Sequence, residues 1–453
     1  MKKLILFICV CFFSLKIHAY TLQKSNINLS YPWGMTWIDS TKLLITEKKT
    51  AQIILFDTSN NTSKIVSHKI PVASWGQGGL LDIISEGENV WVTCSIMKNK
   101  LLTTAVYKST LNNNSLIDSE LIFEATPYIN NAKHFGSRIT IKDDFLYVSI
   151  GERGKGMISQ DPSNTVGSIV RIHKDGTIPA DNPFVTNSDW SKEVYQIGVR
   201  NPQGMDLDPL TNDVFISNHG PKGGDFVGKV IKGTNYGWKK VGWGGTNYSG
   251  TKIGDGNAWV PGLLPPDHIW VPSIGIGGIK FYTGDLFPEL KNTLLIGSLK
   301  FQYLSYLPRN EKGFDEEQLI FKNKIGRVRD IEVNSKGEIF GEPRLHHEAK
   351  VRLVTSSDDL RPFLQNEVDA LPTIGTPADG ELIHHSSFIY LRYFHGPRFQ
   401  SHGGVLRGIE NGVDGIALMR HQLPAKDQFA SESEGEEVLL DALPMLIEEG
   451  FKN

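Results

Sequence analysis

Apolar and polar positions alternate along most of the first three quarters of the chain, and the alternation comes in repeated units. Six stretches share one layout. They are Gly34–Glu47, Gly79–Ser95, Gly136–Gly151, Gly204–His219, Gly278–Ser298 and a last one that starts at Arg327 with "RVRDIEVNSKGEIFG". Each reads as an alternating run, a polar turn holding Asp, Asn or Gly, then a second apolar run. That layout is a β-hairpin. The unit starts are separated by about 45 to 75 residues, the spacing of one propeller blade with its loops. Helix periodicity is scarce in this region. The pattern therefore predicts an all-β fold, a six-bladed β-propeller over residues 20–355. A sandwich with coincidental hairpins is the competing architecture.

Past Thr355 the character changes. Residues 356–453 carry His384, His385, His395, His402 and His421 without metal-motif spacing. Near the end, Leu439, Leu440, Leu443, Leu446 and Ile447 fall at helical spacing, with Pro444 as a break. This segment is expected to be a C-terminal appendage of separate structure. At the other end, Lys2 and Lys3 precede an apolar run from Leu4 to Phe13, and Ala19 closes a cleavage site. Residues 1–19 read as a signal peptide, too short to span a bilayer, and predict a periplasmic or secreted protein. No other segment reads as a membrane span.

Composition sharpens this. The chain has 453 residues, with 45 Gly and 22 Pro, which suits many turns between short strands. Of its 3 Cys, Cys9 and Cys11 lie in the signal, so the mature chain keeps only Cys94 and no internal disulfide. The 47 Lys+Arg nearly balance the 50 Asp+Glu, which argues against nucleic-acid binding. Familiar catalytic signatures are missing: no G-x-S-x-G, no H-E-x-x-H, no C-x-x-C-H. "GGDFVGKV" (Gly223–Val230) imitates a P-loop but lacks the Ser/Thr and the following helix.

Polar groups instead recur at the strand ends of the units. They are Gln77 in "WGQGG", His134 in "KHFGSR", Arg200 and Asn201 in "GVRNPQG", His219, Gly220 and Pro221 in "NHGPKGGD", Lys300 in "GSLK", and Arg327 and Arg329 in "GRVRD". In a propeller these ends ring one mouth. Any one Arg or Lys at a strand end is ordinarily solvated or paired. Four cations at one mouth repel each other unless an anionic ligand lies between them. The set asks for a compact polyanion, with His134 available as a base.

At these residues the chain resembles the soluble pyrroloquinoline quinone (PQQ)-dependent glucose/aldose sugar dehydrogenases, the glucose/sorbosone dehydrogenase family. The resemblance runs from about Tyr31 to Thr355, through "YPWGM", "GQGGLLDI", "HFGSRITI", "GSIVRIHKDGTIPADNPF", "GVRNPQGMDLDP", "NHGPKGGD", "GTNYGW", "FYTGDLFP", "GSLK" and "RVRDI". It implies a six-bladed propeller and an oxidoreductase that turns an aldose into its lactone. By the same resemblance His134 matches the general base at the sugar C1 hydroxyl, and Arg200 the cation beside the reacting quinone carbonyl. Asn201, Lys300, Arg327 and Arg329 match the groups that hold the cofactor, which is a tricarboxylate. Gln77 and Glu152 match substrate-side positions, and the backbone carbonyls of Gly220 and Pro221 match ligands of a Ca²⁺ ion. The implied partners are an aldose and an unidentified electron acceptor, for a monomer or homodimer.

The sequence also departs from the family. Lys133 precedes the base where the glucose enzymes tend to have Asp. Phe226 replaces the acid of "GGDE", against a second, structural calcium near Asp225. "VPSIGIGG" (Val271–Gly278) differs from "PSIAPSG", and Pro343 with His346–His347 interrupts the last blade. The Lys133 and Val271–Gly278 changes support the alternative of a propeller that binds a carbohydrate or a protein without turnover. A calcium-dependent lactonase would need acidic and Asn ligands inside the channel, where the chain is basic.

Overall fold

The computed structural model describes residues 29–344 except Lys312, Asn323 and Lys324, four positions between Tyr20 and Ile27, and the strand backbones of 381–385, 402–410 and 413–420. The expected signal peptide and the C-terminal helical pattern lie outside the described residues. The chain divides into two compact units, Met1–His346 and His347–Asn453.

The first unit is built of sheets whose strands follow one another in chain order. Sheet 1 holds β1 (Pro32–Trp37), β2 (Lys42–Glu47), β3 (Gln52–Asp57) and β4 (Thr62–Val66). Sheet 2 holds β5 (Leu80–Glu86), β6 (Asn89–Lys98), β7 (Leu101–Asn112) and β8 (Ser115–Glu124). Sheet 3 holds β9 (Gly136–Lys142), β10 (Phe145–Ile150), β11 (Ser168–His173) and β12 (Val194–Ile197). Sheet 4 holds β13 (Pro202–Leu207), β14 (Val214–Asn218), β15 (Asp225–Lys229) and β16 (His268–Trp270). In sheet 5, β17 (Ile276–Phe281), β18 (Leu294–Ser298) and β19 (Tyr303–Leu307) are followed by a small hairpin, β20 (Arg309–Asn310) and β21 (Gly313–Phe314). The sheet is completed by β22 (Gln318–Lys322). A last pair, β23 (Arg327–Val333) and β24 (Ile339–Arg344), forms a two-stranded sheet.

Every unit read from the sequence is thus the antiparallel hairpin at the start of a sheet, for instance Met35 opposite Ile45 and Met205 opposite Ile216. The polar turns work as Asx turns: Asp39, Asp208 and Asn334 accept the amide two residues on. The first strands touch in a closed cycle, β1 to β5, β9, β13, β17, β23 and back to β1. This is a β-propeller arrangement. Five sheets are four-stranded, and among the described residues the sixth position carries two strands, not the four expected. Pro343 in β24 has no N–H to offer a further strand.

The core lies between successive sheets, because each sheet is apolar on both faces. Leu44 and Ile53 of sheet 1 pack on Ile83 and Val92 of sheet 2. Val106 packs toward Val148 and Val170, Ile169 toward Ile216, Val227 toward Ile279 and Ile296, and Leu295 toward Val328 and Ile331. Between the last sheet and the first, Phe340 meets Trp37 edge to face with centroids 5.0 Å apart. Cys94 is buried in β6, and burial pushes its thiol up to about 12. No helix among the described residues is long and apolar enough to cross a membrane.

Arg138, in β9, points to the centre of the cycle. Its Nε donates to the carbonyl of Gln203, and its Nη1 to Asp82 at 3.1 Å and Asp330 at 2.8 Å. Its Nη2 donates to the carbonyls of Trp33 and Arg329. One guanidinium therefore ties the first strands of five sheets. Both carboxylates also accept backbone amides, from Ile139 and Met35.

In the second unit, β25 (Glu381–His385), β26 (His402–Glu410) and β27 (Val413–Arg420) form an antiparallel sheet. His384, His385 and His402 lie on these strands; His395 and His421 lie outside the described residues.

Candidate active site

Antiparallel pairing puts the start of each first strand beside the end of the second. The predicted residues occupy that one edge. Gln77 leads into β5, His134 into β9, and Arg200 and Asn201 into β13. Glu152 follows β10, His219 to Pro221 follow β14, Lys300 follows β18, and Arg327 and Arg329 open β23.

Hydrogen bonds join them between sheets. His134 has a left-handed backbone, φ 52°. Its N–H donates to Gln77 Oε1 at 2.7 Å, and its carbonyl accepts the Arg153 amide. Its Nδ1 lies 2.6 Å from Glu152 Oε1. A carboxylate can only accept, so Nδ1 carries the proton and Nε2 keeps its lone pair. Glu152 is 2 % exposed, and its other oxygen accepts the Gly156 amide. Its own amide donates to the Arg200 carbonyl. Burial lowers the His134 pKa; Glu152 pulls it up, while Arg200 and Lys133 push it down, and the net is below the ordinary value. Burial opposes ionisation of Glu152, but the His134 ring and the Gly156 amide outweigh it and hold its pKa below the usual carboxylate value.

The next wall is built by Asn218 at the end of β14. Its Oδ1 accepts the amides of both Arg200 and Asn201. Asn201 Oδ1 then accepts the Gly136 amide, and Gln203 Oε1 accepts from Arg329 Nη1 at 2.5 Å. Arg200 Nη1 donates to the carbonyls of His219 and Gly220, at 3.2 and 3.1 Å, and its guanidinium sits over the Trp238 ring. The His219 ring bonds the Ile276 carbonyl. Burial, then the charges of Arg329 and Arg200, drive its pKa well below the ordinary value, so it is neutral. Asp225 fastens this corner, accepting the amides of Gly220 at 2.7 Å and Ile276 at 2.9 Å. The departing segment Val271–Gly278 is thereby part of the wall. Phe226 packs on Tyr236, 4.7 Å between centroids, in place of an acid. Asp225–Lys229 is strand, so "GGDFVGKV" is no P-loop.

Gln77 and Glu152 were expected toward the substrate; both touch His134 itself. Lys300 and Arg327 share the edge through their elements, and the Lys300 ammonium lies 4.7 Å from the Phe301 ring. Sequence reading missed Asn218, Gln203 and Arg153. Asn218 sits inside the quoted "NHGPKGGD", but its backbone role needs the neighbouring strand to be seen.

The residues fit a tricarboxylate with a hard cation. Side chains from three sheets bring Arg200, Lys300, Arg327 and Arg329 to one edge, and the bonds of Arg200 go to neutral oxygens. The carbonyls of His219 and Gly220 already converge on positive charge, the donor type that suits Ca²⁺. Pro221 is buried beside them. Among the described residues no group of three His, Cys, Asp or Glu side chains could hold a metal.

A family model described as glucose / sorbosone dehydrogenase matches residues 29–343. The aldose sugar dehydrogenase YliI of Escherichia coli (strain K12) is 30% identical over 322 residues, covering 69% of this chain and 86% of that one. The quinoprotein glucose dehydrogenase B of Acinetobacter calcoaceticus is 25% identical over 247 residues, 47% of this chain and 51% of that one. A crystal structure of the soluble aldose sugar dehydrogenase of Escherichia coli, in its apo form, superposes with a TM-score of 0.66 at 30% identity. It covers 69% of this chain and 93% of that chain. With the family model matched over residues 29–343 and a relative 30% identical over most of its length, this chain belongs to the glucose/sorbosone dehydrogenase family.

Proposed function

We propose that the protein is an exported aldose dehydrogenase dependent on PQQ and Ca²⁺, oxidising the C1 hydroxyl of an aldose to a lactone. The observation that carries the reading is the His134 Nδ1–Glu152 Oε1 bond of 2.6 Å beside the Arg200 guanidinium. A neutral imidazole with its Nε2 lone pair available is placed beside a cation. That arrangement removes a hydroxyl proton and stabilises negative charge that develops nearby. The names of the relatives support the sugar and the quinone. We read β23 and β24 as the inner half of a sixth blade.

In this reading Asn201, Lys300, Arg327 and Arg329 hold the cofactor's carboxylates and quinone oxygens, and the Gly220 and Pro221 carbonyls hold the calcium. When bound, PQQ supplies the two-electron acceptor for the hydride leaving C1, and Ca²⁺ supplies a Lewis acid at its carbonyl. His134 Nε2 takes the C1 hydroxyl proton as the C1–H bond is lost. Glu152 holds the ring at Nδ1 and stabilises the imidazolium. Gln77 fixes the backbone of the base.

Reconstitution with PQQ and Ca²⁺, an artificial electron acceptor and a panel of aldoses tests this. Turnover should fall about 10²- to 10⁴-fold in His134→Ala, with PQQ binding retained. Lys300→Ala or Arg327→Ala should weaken PQQ binding before sugar preference changes. Absence of PQQ binding in equilibrium titration would sink the proposal. PQQ binding without turnover of any aldose would favour a binding propeller.

A further inference from the structure

A second group of cations lies at this mouth beside the residues proposed for the cofactor. Beyond Arg200, Lys300, Arg327 and Arg329, four more cations gather on the His134 side. Lys133, next to the base, is exposed, and its charge reaches the ring. Lys155 is exposed in the turn after Glu152, its amide donating to the Glu152 carbonyl. The Lys239 side chain lies over Gly156, so close that a Cβ there would come within 2.9 Å of its Cδ. Arg153 is buried beneath the loop, bonded to the carbonyls of Lys133, Leu102 and Asn131 and to no carboxylate. The acid among them, Glu152, has its two oxygens taken by His134 and Gly156. Among the described residues none of the three lysines has an ion-pair partner. The same rim exposes Trp75, 51% accessible, whose carbonyl accepts the Gly78 amide beside Gln77. An open indole among ammonium groups suits a saccharide ring that carries negative charge.

We propose that the substrate is an aldose bearing an anionic group, a carboxylate or a phosphate, selected by Lys133 and Lys239. This rests on the reading of the protein as a sugar-oxidising enzyme and goes beyond it in naming the substrate class. The cations belong to the substrate side because they cluster on His134 and Glu152, not on the edge formed by sheets 4 to 6.

The test uses the full chain loaded with PQQ and Ca²⁺. D-glucuronate, D-glucose 6-phosphate and D-glucose are titrated calorimetrically, and turnover is followed with a small dye acceptor. At least one anionic sugar should bind about tenfold tighter than glucose at low salt, with the advantage shrinking between about 0.05 and 0.5 M NaCl. The two anions separate a carboxylate from a phosphate site. Lys133→Gln and Lys239→Gln should each lower the anionic-to-neutral affinity ratio about two- to fivefold, the size of an exposed ion pair. Equal binding of glucose and both anions would overturn the proposal, as would Lys133→Gln and Lys239→Gln variants that keep the wild-type anionic-to-neutral ratio. Glucose oxidation without anion preference would leave the oxidation reading standing and this one refuted. Preferred anion binding with no turnover of any sugar would overturn both, leaving Lys133 and Lys239 as an anion-binding site of a propeller without turnover.

Discussion

In the proposed reading His134 serves as the base because its neighbours set one ring nitrogen against the other. Glu152 accepts the hydrogen bond of Nδ1–H, Gln77 holds the amide, and burial with Arg200 and Lys133 disfavours the imidazolium. The sign follows directly. A histidine whose pKa is lowered stays neutral to lower pH, so the acid limb of kcat/KM should fall below the ordinary value of about 6.5. Glu152 is the neighbour that raises this pKa. Glu152→Gln should therefore move the acid limb further down while cutting kcat on the order of 10²-fold, since the amide can turn its N–H₂ to the ring and release the wrong tautomer. Lys133→Gln should move the limb up. Limbs that stay together in all three proteins would mean that His134 is not the titrating group.

The loop carrying His134 is shaped by the strand beside it. A Cβ on Gly151 would lie 2.1 Å from the His134 carbonyl oxygen and 2.8 Å from the Gly136 nitrogen. Those are backbone atoms and cannot swing aside, so Gly151→Ala must push the base off its seat. The expected loss is about 1–3 kcal/mol in urea unfolding, with kcat falling in parallel. Gly87 is the comparison. Its φ is +60° with nothing within 4 Å, so Gly87→Ala should cost about 1 kcal/mol and leave kcat as it is. If the two variants lose kcat alike, the loop is not seated by Gly151.

What was legible in the sequence follows the same local logic. First hairpins announce themselves because both faces are buried and a side chain closes each turn. Outer strands such as β4 do not, since four of its five residues are exposed and nothing packs them into a pattern. The mouth residues were legible through their strand ends and ordered segments. The Glu152–His134 pair was not, because it depends on β10 ending beside the start of β9. Asp225 looked like half of a metal motif, yet both its oxygens are used by Gly220 and Ile276.

At the scale of the molecule, a ring of sheets must close on an axis where no sheet supplies a partner for the next. Side chains there must satisfy each other. Arg138 reads as an ordinary polar position of an alternating strand, "SRITI", yet it holds Asp82, Asp330 and three carbonyls across that axis. It also touches the mouth through Gln203 and Arg329. Removing it leaves two buried carboxylates facing each other. Arg138→Met should lose about 3–5 kcal/mol in urea unfolding, and Arg138→Lys should recover little, since one ammonium cannot reach five acceptors. The pH dependence separates this from simple loss of packing. Burial, against the pull of Arg138, raises the Asp82 pKa to about 7, above its unfolded value of about 3.9. The folded state thus holds more protons than the unfolded one between those values, and stability from Asp82 falls as pH rises through that window. Without the guanidinium the folded pKa climbs further and the window widens upward. The stability gap between wild type and Arg138→Met should accordingly be smaller near pH 5, where the lost bonds to three carbonyls dominate it, and grow towards about pH 8. A gap that is flat with pH would mean the carboxylates do not depend on Arg138, and that the ring is closed by the Trp37–Phe340 contact and the Met35–Asp330 bond instead.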